Sequence, residues 1–161
     1  MTLFPSDPHA LGTCDLVPMT GDDVGWAGFV LAGLDPWRTL GYQAEGLSAY
    51  LRRPDPSLHR FTVVAGGQRA GVLCLRHPWL RGPYIELLAV TLPGRGIGAA
   101  LVRWTSERTL AEATNLWATV SNFNWPARAF YHAQGFVEAS YLPDLVGAGF
   151  SEILLRKRLD A

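Results

Sequence analysis

The sequence has one lysine, Lys157, two cysteines and no excess of either charge. Fourteen basic side chains balance fourteen acidic ones over 161 residues, so the formal net charge is zero. That balance argues against a domain held to nucleic acid by phosphate neutralisation, which shows a basic excess. Charged residues make up 17%, against about 25% in ordinary soluble proteins, so the surface is sparsely charged. Cys14 and Cys74 make no disulfide framework, and without Cys-x-x-Cys or His-rich spacing no metal site is expected. The first residues carry no basic segment and are broken by prolines, so no secretory leader is expected. The longest uncharged apolar-rich run, Val24 to Leu34, lies between Asp23 and Asp35. It falls short of the about 20 residues that span a bilayer and reads as a buried helix. The expected setting is soluble, reducing and cytoplasmic.

What is present is ample apolar material, 48% of residues, in a length that suits one domain, residues 1–161. Residues 1–12 lack periodicity and read as a loose tail. Cys14 to Met19 is a short strand. Thr20-Gly21-Asp22-Asp23 offers capping groups and early acids to a helix running to about Gly33. Asp35-Pro36-Trp37-Arg38 reads as a turn, and Leu40 to Leu51 as a second helix from its spacing. Strands follow at Phe61 to Ala65 and Ala70 to Leu75, joined by Gly66-Gly67. Tyr84 to Leu92 is apolar on both faces and therefore central. A helix after it carries Ile97, Ala100, Leu101 and Trp104. Leu116 to Val120 is a fifth strand. Asn124-Trp125-Pro126 starts a helix that stops at Gly135. Phe136 to Tyr141 and Phe150 to Arg158 complete the chain as strands.

The strand–glycine turn–helix at Leu88 to Leu101 is a ready anion site. Gly94, Gly96 and Gly98 let backbone approach a ligand, and the first helical N–H groups of Arg95 to Ala99 point at it. The alternative is a tight connection with close packing. The spacing G-x-G-x-G is not the dinucleotide fingerprint, and Ala99 and Ala100 stand where a P-loop needs Lys and Ser or Thr.

Gly94-Arg95-Gly96-Ile97-Gly98-Ala99 after the Leu88-Ala89-Val90 strand, followed by Asn124-Trp125-Pro126-Ala127-Arg128-Ala129-Phe130-Tyr131 and Gly135-Phe136, resembles the GNAT superfamily of N-acetyltransferases. The match covers roughly residues 84–158. The resemblance implies an α/β (α+β) fold: a mixed, mostly antiparallel sheet of six to seven strands, splayed between strands 4 and 5, with about four helices. It implies acetyl-CoA, or coenzyme A, in that cleft. Leu88, Ala89 and Val90 would pair with the cofactor's arm. Gly94, Arg95, Gly96, Ile97, Gly98 and Ala99 would hold its pyrophosphate. Asn124 would hydrogen-bond the arm, Ala127 and Phe130 would line it, and Tyr131 would sit at the sulfur. Where the family has Arg or Gln, this chain has Pro93, which offers neither a side-chain donor nor an N–H, with Arg95 as the compensating charge.

Acetyl transfer to an amine requires a deprotonated amine, a donor for the oxyanion and a proton for the leaving thiolate. Tyr131 suits the last role; packed in the core it would be structural only. The backbone N–H at Val90 or a neighbour is the expected oxyanion donor. Glu86, a lone acid in an apolar strand, is the leading base, directly or through water, unless it pairs with Arg76 or Arg81. Alternation puts Tyr84, Glu86, Leu88 and Val90 on one face unless a bulge intervenes. His77 and His132 are alternative bases. Asp35, Trp37, Tyr42, Glu45 and Tyr84 are candidates for the acceptor side. The expected acceptor is a small-molecule or peptide amine, with no nucleic-acid or membrane partner. The alternative function is a non-catalytic acyl-CoA sensor or interaction module, motivated by Pro93. The apolar surface left by so few charges is expected to be partly covered in a homodimer.

Overall fold

The structure is a computed structural model and describes residues 2–160. Its elements, in chain order, are β1 (His9–Ala10), β2 (Asp15–Pro18), α1 (Gly21–Ala32), α2 (Trp37–Leu40), α3 (Ala44–Arg52), β3 (Leu58–Ala65), β4 (Gln68–Arg76), β5 (Tyr84–Val90), α4 (Ile97–Thr109), β6 (Asn115–Ser121), α5 (Trp125–Ala133), β7 (Val137–Leu142) and β8 (Glu152–Arg158). The strands form one sheet in the order β1-β2-β3-β4-β5-β6-β8-β7. All neighbours are antiparallel except β5 and β6. This is the expected mixed, mostly antiparallel sheet, with eight strands instead of six to seven and five helices instead of four among the described residues.

Local chemistry explains most of the elements. Thr20 and Asp23 close the start of α1: the Thr20 N–H donates to Asp23 Oδ2 at 2.9 Å, and the Asp23 N–H returns to the Thr20 carbonyl at 3.1 Å, a reciprocal arrangement that satisfies free helix-end groups. The buried stripe of α1 is Val24, Ala27, Gly28 and Leu31, the i, i+3, i+4, i+7 set; Phe29 points away and is 77% exposed. Gly66 and Gly67 both have positive φ, 59° and 75°, the backbone that a two-residue hairpin requires. The expected Leu40–Leu51 helix is interrupted: Gly41 adopts φ 78° and ends α2, so α3 begins at Ala44. Asp35 and Pro36 form the expected turn, and Trp37 and Arg38 after them open α2.

The amino-terminal segment is a second correction. His9 and Ala10 pair with Leu16 and Asp15. Leu3 is 4% and Phe4 0% exposed, in the core between the sheet and α4. Phe4 meets Trp104, His59 and His77 ring to ring. Two large apolar side chains at Leu3 and Phe4 thus outweigh the prolines and polar residues around them, at about 1.5–3 kcal/mol for each side chain buried.

Two cores result, one on each face of the sheet. Ile97, Leu101 and Trp104 of α4 pack with Leu73, Leu75 and Ile85 on one face. Val24, Leu31, Leu47 and Leu51 of α1 and α3 pack with Val72, Leu87 and Ala89 on the other. Ile85 and Leu87 would share a face in a regular strand. They do not, because the β4–β5 register slips between Cys74 and Leu75, which pair with Leu87 and Ile85. Glu86 is the extra residue of a β-bulge. The expected single face from Tyr84 to Val90 is therefore broken at Glu86.

Candidate active site

The splay between β5 and β6 builds the site. These strands pair only at Tyr84–Trp117 and Ile85–Ala118. Beyond Ile85 they part, and β5 from Glu86 to Val90 has no strand on that side. Unpaired strand backbone is a template for an extended ligand. The opening is a cleft of about 630 Å³ lined by β5, the end of β6 and the start of α5, and walled by α2, α3 and the Leu145–Val146 loop. Leu88, Ala89, Val90, Asn124, Ala127 and Tyr131 all line it.

Downstream of β5 the glycine turn leads into α4. Gly94 and Gly96 have φ of 78° and 72°, and a side chain added at either would meet nothing within 4 Å. The backbone conformation, not crowding by protein, demands glycine there. Arg95, exposed, lies between them, and the N–H groups at the start of α4 have no intrahelical acceptor. Gly98 differs. A Cβ there would stand 3.0 Å from the Phe130 ring, so this glycine admits α5 against α4. Phe130 does not line the cleft; its ring sits on Gly98 and edge-on to Tyr131, 5.2 Å between centroids.

Tyr131 is 7% exposed. Burial, and then the neighbouring Tyr84, push its phenol well above the ordinary value. A tyrosine phenol is protonated at neutral pH even at its ordinary value of about 10, which is the form a donor needs. Tyr84 itself is held by a 2.7 Å hydrogen bond shared with Thr119 Oγ1 and stacked on Trp79. Its own phenol is raised, first by burial and further by the charges of Glu86 and Glu152, against the lowering Thr119 bond.

Glu86 lines the cleft but is not free. Arg76 Nε donates to Oε1 at 2.6 Å and Arg76 Nη2 to Oε2 at 3.2 Å. The Tyr50 hydroxyl of α3 donates to Oε2 as well. Of the two arginines the sequence offers as partners, Arg76 takes the role. Arg76 also reaches Asp55 at 3.0 Å.

On the acceptor side, Trp37, Tyr42 and Tyr84 line the cleft, with Asp35. Trp37 also packs against the α1–α3 core. Glu45 is exposed on α3 and does not line it, because the facing positions are Gly46, Leu47 and Tyr50, one helical turn of a different stripe. His77 packs on Phe4 and sits 3.8 Å from Glu112, and His132 is exposed; neither lines the cleft. Sequence reasoning passed over Tyr50, Thr119, Ser121 and Glu152. Glu152 had a signal, since it is a lone acid opening an apolar strand, as Glu86 is within β5.

The sequence matches the model of the Acetyltransferase (GNAT) family over residues 23–136. The chain belongs to the GNAT acetyltransferase family. It is an acetyl-CoA-dependent enzyme of the N-acetyltransferase type. Among solved structures it is similar to an acetyltransferase from Thermus thermophilus, with 24% identity, a TM-score of 0.72, and coverage of 94% of this chain and 100% of that one. A chimera of Vibrio cholerae spermidine N-acetyltransferase SpeG and hSSAT gives 15% identity and 0.71, covering 92% and 96%. A Bacillus anthracis str. Ames acetyltransferase solved with acetyl coenzyme A gives 18% and 0.58, covering 69% and 68%. No curated protein matches the sequence. The cleft fits acetyl-CoA on its own terms: unpaired β5 backbone for an extended arm, and a turn whose Gly94 and Gly96 leave open space beside helical N–H groups for phosphate oxygens.

Proposed function

We propose that the enzyme acetylates a primary amine of a small acceptor by direct attack, with Tyr131 as the general acid. The observation that carries this reading is the place of Tyr131, buried on the cleft wall where β5 and β6 part. Bound acetyl-CoA supplies the acetyl group and a thiolate leaving group. Leu88, Ala89 and Val90 orient it along the free edge of β5, with a backbone N–H at Val90 or its neighbour facing the developing negative charge. The turn from Gly94 to Ala99, with Arg95, holds the phosphate end. The Asn124 side-chain oxygen caps α5 by accepting from the Ala127 N–H at 3.4 Å, leaving its amide N–H₂ for the cofactor's arm. Tyr131 donates its proton to the departing sulfur.

Glu86 receives the amine's proton through water. Direct uptake is disfavoured because both of its oxygens are already engaged by Arg76 and Tyr50. Trp37, Tyr42 and Tyr84 form the acceptor wall. We also read the exposed edge strand β7, with Val137 61% and Tyr141 57% exposed, as a homodimer surface; a monomeric mass by light scattering would remove that part.

Tyr131→Phe is the deciding experiment. It should bind acetyl-CoA with unchanged affinity while kcat falls by roughly a hundredfold or more, the ordinary scale of general acid catalysis. Unchanged turnover removes the acid assignment. Absence of thiol release in the wild-type protein over a panel of amines, with acetyl-CoA bound, favours a non-catalytic acyl-CoA-binding module instead.

A further inference from the structure

Glu152 is a buried acid that no described residue neutralises. It opens β8, opposite Ser121 of β6 and Leu142 of β7, and lines the cleft. It is 8% exposed, and its Oε2 and the neighbouring Ser121 Oγ are both buried with no hydrogen-bond partner among the described residues. The other two carboxylates of the cleft are neutralised: Asp35 by Arg38 at 2.8 Å and Glu86 by Arg76 at 2.6 Å. Among the described residues, no Arg, Lys or His lines the cleft. Burial pushes the Glu152 carboxyl up, against a smaller lowering by the Ser121 hydroxyl beside it, which falls short of hydrogen-bond geometry.

A buried carboxylate without a partner is costly and is normally paired or hydrogen-bonded. Here the two unsatisfied oxygens belong to facing residues of adjacent strands, and both residues line the same cavity. An ammonium group provides several N–H donors and one positive charge, which answers both. The remaining walls are aromatic and apolar, through Trp37, Tyr42, Tyr50 and Tyr84. Such surfaces favour a cation with an apolar body, and with no Arg, Lys or His lining the cleft they offer an acceptor's carboxylate no counter-charge.

We propose that Glu152, with Ser121, receives the acceptor's ammonium, and that the acceptor is a small monocationic primary amine with an apolar or aromatic body and no anionic group. This rests on the acetyltransferase reading and narrows its substrate. One uncompensated carboxylate matches one positive charge, so a polyamine gains no second partner in the cleft.

The test uses full-length enzyme with acetyl-CoA and three acceptors. Phenethylamine has the proposed chemistry, phenylalanine adds a carboxylate, and spermidine adds further charges. Phenethylamine should give the highest kcat/KM. Preference for spermidine overturns the single-charge argument, and equal use of phenylalanine overturns the exclusion of anions. Glu152→Gln should raise KM for phenethylamine by roughly tenfold to a hundredfold, the scale of a hydrogen bond to a charged group. The affinity for acetyl-CoA should not change. The melting temperature should stay level or rise, because the variant removes an unpaired buried charge. A fall in melting temperature with KM unchanged makes Glu152 structural and overturns the proposal. Calorimetric titration of phenethylamine into the CoA-loaded protein reads the site without turnover: binding that Glu152→Gln abolishes supports it, and no binding to the wild type overturns it. Failure of acetyl-CoA to bind, or full activity of Tyr131→Phe, instead strikes the parent reading.

Discussion

Arg76 grips Glu86 through both carboxylate oxygens, with Nε to Oε1 at 2.6 Å and Nη2 to Oε2 at 3.2 Å. The pair lies at the bulge of β5, where Glu86 is the extra residue and its side chain turns to Tyr50 of α3. Both side chains are about one-quarter or less exposed, 26% and 19%, so solvent screens the pair only in part. Removing one partner leaves a charge in a poorly solvated cleft.

Arg76→Met is therefore expected to destabilise the protein by about 1–3 kcal/mol, less than a fully buried pair because of the residual exposure. Glu86→Gln keeps the Tyr50 contact and should cost less. It should lower kcat for amine acetylation while leaving acetyl-CoA affinity unchanged. Urea unfolding and steady-state kinetics check the two variants; equal activity of Glu86→Gln and wild type removes Glu86 from proton transfer.

Asp23 is predicted to carry part of the acid stability of the fold. Burial would raise its carboxyl, but the hydrogen bonds from Thr20 and Arg69 outweigh burial and hold it below the ordinary range. Arg69 Nε donates to Oδ1 at 2.8 Å. A carboxyl depressed in the fold contributes fully above its unfolded pKa of about 3.9 and loses that contribution as pH falls through the lower folded value. Asp23→Asn should lose about 1–2 kcal/mol at pH 7, the scale of a helix cap. The difference from wild type should shrink at a pH of about 2, below the ordinary carboxylate range. A difference independent of pH would show that the loss is packing alone.

Phe130 and Gly98 make a steric prediction. Gly98→Val places carbon inside the 3.0 Å approach of the Phe130 ring, and overpacking of this kind costs about 1–3 kcal/mol. The double variant Gly98→Val with Phe130→Leu should recover part of that loss. Additive losses in thermal unfolding would mean that the two residues do not share one space.

The sequence made legible those features that local rules govern. Gly66-Gly67, the Thr20–Asp23 cap and the Asn124 cap each satisfy their own backbone groups within a few residues. The cleft residues Leu88 to Val90, Asn124, Ala127 and Tyr131 were legible through two motifs. What was not legible depends on distant neighbours. Phe4 lies in an irregular segment, and only Trp104 and His59, far along the chain, make it core. Glu86 was readable as a strand acid, but the choice of Arg76 over Arg81 requires the β4–β5 register. Gly98 looked like a third phosphate glycine, and only the position of α5 shows that it makes room for Phe130. Glu152 and Ser121 are on different strands, and their facing geometry exists only once β8 inserts between β6 and β7.

The turn after β5 allows the cofactor site to be separated from the fold. Gly96 has φ 72° and open space around it. A Gly96→Ala side chain therefore meets no protein atom, yet it must adopt a left-handed backbone that costs about 1–2 kcal/mol. If the turn cradles phosphate, the new methyl group and the altered N–H directions should also weaken the ligand. Acetyl-CoA affinity should fall by roughly tenfold, the equivalent of about one charge-assisted hydrogen bond. Gly12 provides the control: it too has positive φ, 88°, with nothing within 4 Å, but lies outside the glycine turn. Gly12→Ala should show the modest drop in melting temperature alone. Equal acetyl-CoA affinity in the two alanine variants, measured by calorimetry, would show that the Gly94–Ala99 turn contributes no phosphate site.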